Sequence, residues 1–409
     1  MRFLHTSDWH LGQKLLNFDR DEEHALALHW LAGIVREQAI DMLLVSGDIF
    51  DIGNPPNYAR KRYYSFLAEL IGSPCRHVVI TAGNHDSPPM LDAPRELLEA
   101  LNIHVISAVP ENLSDEVLLL NGPDGQPEVL VAAVPFLRDR DLRQSEAGES
   151  GYDRIASVSE GMKAHFNAIA DLAAPYRSLD IPFIAMGHLY AAGATAADPQ
   201  NNIYIGHVEN MAAGDFPDSF DYVALGHLHR AQQVGKKRHV YYSGSLIPLS
   251  FNEMADDKSV FVVETQGRNI QSVSPVAVPT FRRLKTIEGD VEEVKATLTK
   301  FHAKERKGLR PWVELVVHTD KLIPQLDLQL YAFAKEMPLE ILKIKLHRQY
   351  QSLDAQLADE PADLSEIEVL DVFRRKCESF GAPPDEMEEL TQTFLELQTW
   401  MQERSQQQD

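Results

Sequence analysis

The apolar residues of roughly the first 265 positions fall in short runs, and five of these runs end in a polar cluster. Arg2-Phe3-Leu4-His5-Thr6-Ser7 leads into Asp8-Trp9-His10, and Met42-Leu43-Leu44-Val45-Ser46-Gly47 into Asp48-Ile49-Phe50-Asp51. His77-Val78-Val79-Ile80 leads into Thr81-Ala82-Gly83-Asn84-His85-Asp86. Pro182-Phe183-Ile184-Ala185-Met186-Gly187 ends at His188, and Tyr222-Val223-Ala224-Leu225-Gly226 at His227-Leu228-His229. Such runs predict buried strands with loops at their carboxyl ends, where open α/β sheets place ligands. Helical spacing fills several gaps: Leu26, Trp30 and Ile34; Ala59, Tyr63, Phe66, Leu67 and Leu70; Leu97, Leu98 and Leu101; Ile155, Val158, Met162, Phe166 and Ile169. Val117–Leu120 and Val129–Val134 flank Asn121-Gly122-Pro123-Asp124-Gly125 and predict a hairpin. The expected fold is α/β, with two sheets packed face to face and flanked by helices.

Near Pro275 and Pro279 the pattern changes. Residues 1–275 are expected to form one domain and 280–348 a small β-α-β-α-β unit. A polar linker is expected over 349–361. Over 362–404 the spacing predicts two helices. The first carries Leu364, Ile367, Leu370, Phe373 and Cys377; the second has Met387, Leu390, Phe394, Leu397 and Met401 at alternating steps of three and four. That is an a/d seam, and a helical pair with such faces is expected to dock on another chain.

Composition narrows the class. The chain has 409 residues, 44% hydrophobic and 24% charged, which suits two or three soluble domains. No apolar run approaches the roughly 20 residues of a membrane span. The amino terminus has no signal-peptide pattern, and two cysteines give no disulfide framework, so the cytosol is the expected compartment. A net charge of -22 argues against phosphate partners, but it is uneven. Residues 351–409 hold 15 acidic and 4 basic side chains, whereas 281–350 hold 10 acidic and 14 basic.

Asp8 with His10, and His227 with His229, are pairs two apart, and at an extended strand end such residues share a side. With Asp48, Asn84 and His188 they make seven candidate metal ligands, all oxygen or imidazole. That set suits Mn²⁺, Fe or Zn²⁺ rather than a thiolate zinc site. Asp48 is the natural bridge between two ions about 3.5–4 Å apart.

The five clusters, in this order, resemble the motifs of calcineurin-like metallophosphoesterases. Finer stretches resemble the SbcD family of bacterial nuclease subunits, which partner SbcC ATPases: Leu4-His5-Thr6-Ser7-Asp8-Trp9-His10-Leu11-Gly12, Gly53-Asn54-Pro55-Pro56-Asn57-Tyr58-Ala59-Arg60, and Ser243-Gly244-Ser245-Leu246-Ile247-Pro248-Leu249-Ser250-Phe251. The resemblance implies one ion on Asp8, His10, Asp48 and His229, and another on Asp48, Asn84, His188 and His227, with Mn²⁺ the expected metal. It also implies a capping domain over 280–348, a partner-binding tail over 362–404 and a homodimer through the helices around Tyr63–Leu70 and Leu97–Leu101. The activity implied is a DNA exonuclease acting from 3′ ends of duplexes and an endonuclease on single strands or hairpins, in repair and recombination.

His85 is the candidate for contacting the scissile phosphate and protonating the leaving oxygen, and Asp51 and Asp86 are candidates for orienting imidazoles. Lys14, Asn17, Arg20 and His24 are candidate DNA-backbone contacts, and Ser243 and Ser245 candidate phosphate contacts. Lys236-Lys237-Arg238 reads as an exposed hairpin tip and Trp9 as core. Two other readings use the same residues. A phosphatase or cyclic-nucleotide phosphodiesterase would share the metal site, but protein phosphatases of this superfamily place Arg-Gly after the second motif, where this chain has Ile52-Gly53-Asn54. A non-catalytic DNA-end scaffold would lack a ligand, and none is missing.

Overall fold

The computed structural model describes residues 1–143, 150–195, 211–235, 239–302, 308–319 and 323–348, with positions 370, 373, 377, 387 and 390–395 of the tail. Two six-stranded sheets face each other. The first runs in the order Asn269–Ala277, Ser259–Gln266, Arg2–Thr6, Met42–Ser46, His77–Thr81, Ile103–Ile106. Its last four strands are parallel and its first two antiparallel. The second runs Gln232–Gln233, Val240–Tyr242, Tyr222–Gly226, Phe183–His188, Pro127–Ala133, Val117–Asn121, with four parallel strands between antiparallel edges.

Central strands here are covered on both faces, which is why they read as unbroken apolar runs. Phe3, Met42, Leu44 and Val79 of the first sheet meet Val129, Val131, Ile184, Met186 and Tyr222 of the second in the middle layer. Their neighbours Leu4, Leu43, Val45 and Ile80 point the other way, beneath helices Asp21–Glu37 and Asn57–Leu70. Helix Gly151–Leu172 covers the second sheet with Met162, Phe166 and Ile169. The polar side chain of His5 crosses the middle layer: its Nδ1 lies 3.1 Å from the Tyr222 hydroxyl and its Nε2 3.2 Å from the Leu225 carbonyl. Burial outweighs the carbonyl bond and lowers its pKa to about 3.

The helix expected through Leu97–Leu101 is confined to Arg95–Glu99, and a separate short helix, Pro88–Asp92, precedes it. Pro94 separates them, since it has no N–H to continue the first. The edge strand Asn269–Ala277 carries no continuous apolar run, because most of its side chains are partly or fully exposed.

Strands Arg282–Gly289, Leu309–Thr319 and Glu340–Arg348 alternate with helices Val291–His302 and Leu326–Ala334. Val294, Leu298, Leu326 and Leu330 cover the sheet residues Val313, Leu315 and Val317. This unit seats on the sandwich through Leu284, Trp312 and Leu342, which meet Leu15 and Phe251. Arg282 stacks 4.1 Å from the Trp312 ring and lies 3.5 Å from the Glu23 carboxylate. Sandwich and cap together make one compact body, Met1–His347. In the tail, Phe373 and Phe394 stack with ring centroids 4.2 Å apart. The expected linker 349–361, and most of the expected helical pair, lie outside the described residues.

Candidate metal centre

The strands stop at Thr6, Ser46 and Gly226, short of Asp8, His10, Asp48 and His227. These four residues instead adopt positive φ, at 51°, 47°, 51° and 99°. For a residue with a side chain such a backbone costs about 1–2 kcal/mol, so the surrounding bonds must hold it. The Asp8 amide donates to the Gly47 carbonyl at 3.1 Å and the His10 amide to the Asp48 carbonyl at 3.0 Å. The His227 amide donates to Asp8 Oδ1 and the His85 amide to Asp48 Oδ1, each at 2.9 Å. Asp8 and His10 therefore meet through left-handed turns, not through the strand alternation that their spacing suggests. Gly83 is required by contact: a Cβ there would overlap the Asp48 carboxylate and amide.

The loops bring all seven expected ligands together. Ligand atoms of Asp8, His10 and His229 lie within 4.8 Å of one another, as do those of Asp8, Asp48 and His188. Asp48 Oδ2 lies 3.5 Å from His10 Nε2 and 3.2 Å from His188 Nε2. Asn84 Oδ1 lies 3.0 Å from His188 Nε2 and 3.1 Å from His227 Nδ1.

The histidine partners settle which nitrogens carry hydrogen. His188 Nδ1 is 2.9 Å from the Ser46 carbonyl, His10 Nδ1 3.1 Å from Asp51 Oδ1 and His229 Nδ1 3.0 Å from Glu253 Oε1. Each of these oxygens only accepts, so each Nδ1 donates and the neutral ring turns a bare Nε2 inward. The Nε2 of His188 then faces two acceptors, Asp48 Oδ2 and Asn84 Oδ1, and that of His10 is buried with no hydrogen-bond partner. Lone pairs opposed in this way need a cation between them, either a proton on the ring or a metal ion. The residues present fit divalent metal, and oxygen-anchored imidazoles are how proteins orient such ligands.

In the metal-free chain a proton can take that place. Burial disfavours charge on His10 and His188, but the nearby carboxylates outweigh it and raise both to about 9. Burial likewise opposes ionisation of Asp48, yet His188, His10 and His85 lower its pKa. His227, desolvated and next to His188, falls to about 4. The carboxylates thus draw positive charge into this space.

His85 stands half-buried at the rim, its ring centroid 4.9 Å from that of His10 and its Nδ1 2.7 Å from the Asp51 carbonyl. Asp51 therefore meets two imidazoles, one by side chain and one by backbone. Asp86 does not face an imidazole: it accepts from the amides of Ile49, Phe50 and Gly83 at 3.1, 2.9 and 2.8 Å, tying two loops together. Burial and the charge of Asp48 raise its pKa to about 6.

The expected substrate contacts divide. Lys14 and Asn17 are exposed on the small hairpin that follows the first motif. Arg20 and His24 are buried, contrary to expectation: Arg20 pairs with Glu23 at 2.8 Å and donates to the Pro248 carbonyl at 2.6 Å. Ser243 and Ser245 are buried too. The first bonds Ser7 Oγ at 2.8 Å and the second donates to the Ile247 carbonyl at 2.9 Å, so neither hydroxyl is open to a phosphate. Lys236-Lys237-Arg238 lies outside the described residues. Trp9 is core, edge-on to Phe66. Sequence reasoning passed over Glu253, Lys258 and His5. His5 stands within the Leu4–Gly12 stretch and Glu253 just past the Ser243–Phe251 stretch; Lys258 gave no signal.

A helix-sheet-sheet-helix sandwich with such clusters at its strand ends is the architecture of a metal-dependent phosphoesterase, and residues 1–231 match the calcineurin-like phosphoesterase family. Residues 280–379 match a family described as type 5 capsule protein repressor C-terminal domain. The chain is 34% identical over 381 residues to the SbcD component of the SbcCD nuclease of Escherichia coli K12, covering 92% of each. It is 32% identical over 378 residues to the corresponding protein of Rhodobacter capsulatus, covering 89% of this chain and 91% of the other. With the corresponding Bacillus subtilis protein it shares 30% over 415 residues, 98% and 99% of the two chains. The chain belongs to the SbcD family of calcineurin-like phosphoesterases.

Proposed function

We propose that this protein is a metal-dependent DNA nuclease that hydrolyses phosphodiester bonds at the centre described above and works with an SbcC-type ATPase. The observation that carries the reading is the inward set of bare Nε2 atoms around Asp8 and Asp48, in a chain whose relatives are nuclease subunits. Asp8, His10, Asp48 and His229 would hold one ion, and Asp48, Asn84, His188 and His227 the other, with Mn²⁺ the proposed metal. Bound divalent ions supply a lowered water pKa and neutralise charge developing on the phosphoryl oxygens.

The chain's own residues do the rest. The Nδ1–H of His85 is spent on the Asp51 carbonyl, so Nε2 is the nitrogen left to meet substrate. In its protonated form it can hold the scissile phosphate and give its proton to the leaving 3′ oxygen, work worth about 10²–10⁴-fold. Asp51 fixes the His10 ring, and Asp86 fixes the loops carrying Asp48 and Asn84. Lys14 and Asn17 are the proposed DNA-backbone contacts. Duplex ends attacked from the 3′ side and single strands or hairpins cut internally are the proposed substrates.

Residues 362–404 are the proposed ATPase-binding segment. A homodimer is proposed through the face bearing Leu97 and Leu101, which are 66% and 43% exposed; Tyr63, Phe66, Leu67 and Leu70 are buried in the chain's own core. No helix among the described residues is long and apolar enough to cross a membrane, and the cytoplasm is the proposed location.

The test compares wild type with His85→Ala on a labelled DNA hairpin with Mn²⁺, while bound metal is counted. Alanine keeps the backbone amide that donates to Asp48, so two ions should remain while cleavage falls by about 10²–10⁴-fold. A wild type that holds two ions and hydrolyses p-nitrophenyl phosphate, yet cuts no DNA even with its ATPase, would refute the nuclease reading in favour of a phosphatase. Deleting residues 360–409 should abolish ATPase binding; unchanged binding would end the tail assignment.

A further inference from the structure

His229 is held from two sides by groups outside the five motifs. Its Nδ1 donates to Glu253 Oε1 at 3.0 Å, and its backbone carbonyl accepts from Lys258 Nζ at 2.9 Å. Glu253 and Lys258 are buried and bonded to each other at 2.6 Å. Each is fixed again: Glu253 Oε2 accepts from the Leu249 amide at 3.1 Å, and Lys258 donates to Ser245 Oγ at 2.9 Å. The short turn Phe251–Glu253 that carries the carboxylate is also pinned from its far side. Phe251 lies among Leu284, Trp312 and Leu342 of the cap, and the Thr286 amide points to Met254 Sδ at 3.4 Å.

A buried ion pair contributes little net stability compared with an apolar pair of the same volume. This one touches a proposed ligand at both its ring and its backbone. We infer that Glu253, braced by Lys258, is a positioning residue that fixes the ring angle and the Nδ1–H form of His229, and so sets the affinity of one of the two ions. The inference rests on the metal-centre reading above. It also assigns the Ser243–Phe251 stretch a task other than phosphate contact: Ser245 and Leu249 steady the brace.

The test uses the full chain, with Mn²⁺ affinity read by two-site calorimetry and the melting temperature of the metal-free protein measured alongside. Glu253→Gln keeps the shape and one acceptor for the imidazole but loses the charge; Glu253→Ala loses both. One ion should weaken by about tenfold in Glu253→Gln and by about 10–100-fold in Glu253→Ala, with the other ion little changed. If both folded variants bind both ions as wild type does and only the metal-free melting temperature falls, Glu253 is structural and the inference is overturned. Should Glu253→Ala not fold, Glu253→Gln alone decides by the same criterion. A wild type that binds no Mn²⁺ would overturn the metal centre itself, an outcome separate from unchanged affinities in the variants.

Discussion

His5 makes the stability of this fold depend on pH in a way that can be worked out in advance. Its ring is fully buried between the sheets, and its pKa is lowered to about 3, chiefly by desolvation. The Leu225 carbonyl can only accept, so Nε2 carries the hydrogen and Nδ1 accepts from the Tyr222 hydroxyl. In the unfolded chain the same imidazole titrates near 6.5. As pH falls below 6.5 the unfolded state takes up a proton that the folded state refuses until about pH 3. The stabilisation present above pH 6.5 is therefore lost on acidification, on the order of 5 kcal/mol over the full window. Between about pH 7.5 and 5.5 the loss is roughly 1 kcal/mol, and by about pH 4.5 roughly 3 kcal/mol.

The assay is urea denaturation in EDTA across this range, for wild type and His5→Gln. Glutamine offers one donor and one acceptor to the same partners without titrating. Other histidines titrate as well, and subtracting the two curves removes them. The stability difference should move against wild type by about 1 kcal/mol between about pH 7.5 and 5.5. Parallel curves would refute the idea that a neutral His5 bridges the sheets.

Two further perturbations separate elements of the centre. Gly83→Ala, whose Cβ would collide with Asp48, should leave the far-ultraviolet spectrum intact while metal content drops and DNA cleavage falls by about 10²-fold; wild-type metal content would contradict the close approach. Asp51→Ala removes the partner of His10 but keeps the carbonyl that holds His85. The Mn²⁺ needed for half-maximal cleavage should rise by about 10–100-fold with little change at saturation, whereas an equal loss at saturating Mn²⁺ would show that His85 had moved as well.

The sandwich and the grouping of the candidate ligands are legible in the sequence because both come from local patterns. Strands such as Met42–Ser46 are buried on both faces, so their apolar runs are continuous and their polar ends stand out. The β-α-β-α-β order of the cap is visible for the same reason. Backbone conformation is not: nothing in Asp8-Trp9-His10 announces two left-handed residues, and their spacing suggests the wrong cause for a correct meeting. Burial of charge is equally hidden. Arg20 reads as a solvent-facing cation until Glu23, three residues on, is seen to neutralise it inside the fold. Ser243 and Ser245 look open because a Ser-Gly-Ser turn normally is, but Ser243 is closed by Ser7, 236 residues away, and Ser245 by the backbone carbonyl of Ile247, which sequence does not display. Asp86 misleads because its partners are backbone amides, which sequence does not display.

The candidate ligands come from both halves of the chain. Asp8, His10, Asp48 and Asn84 follow strands of the first sheet, and His188, His227 and His229 belong to the second. Ser46 already crosses the seam twice, accepting from His188 Nδ1 at 2.9 Å and donating to the Ala224 carbonyl at 3.0 Å. Ions bound there act as a clasp between two half-domains, and an unfolded chain cannot reproduce it. Free metal at a hundred times its dissociation constant then adds about 2.7 kcal/mol per site to the folding free energy. A cell short of divalent metal would thus lose this protein to proteolysis as well as losing its chemistry, and the supply of ions would set how many copies survive.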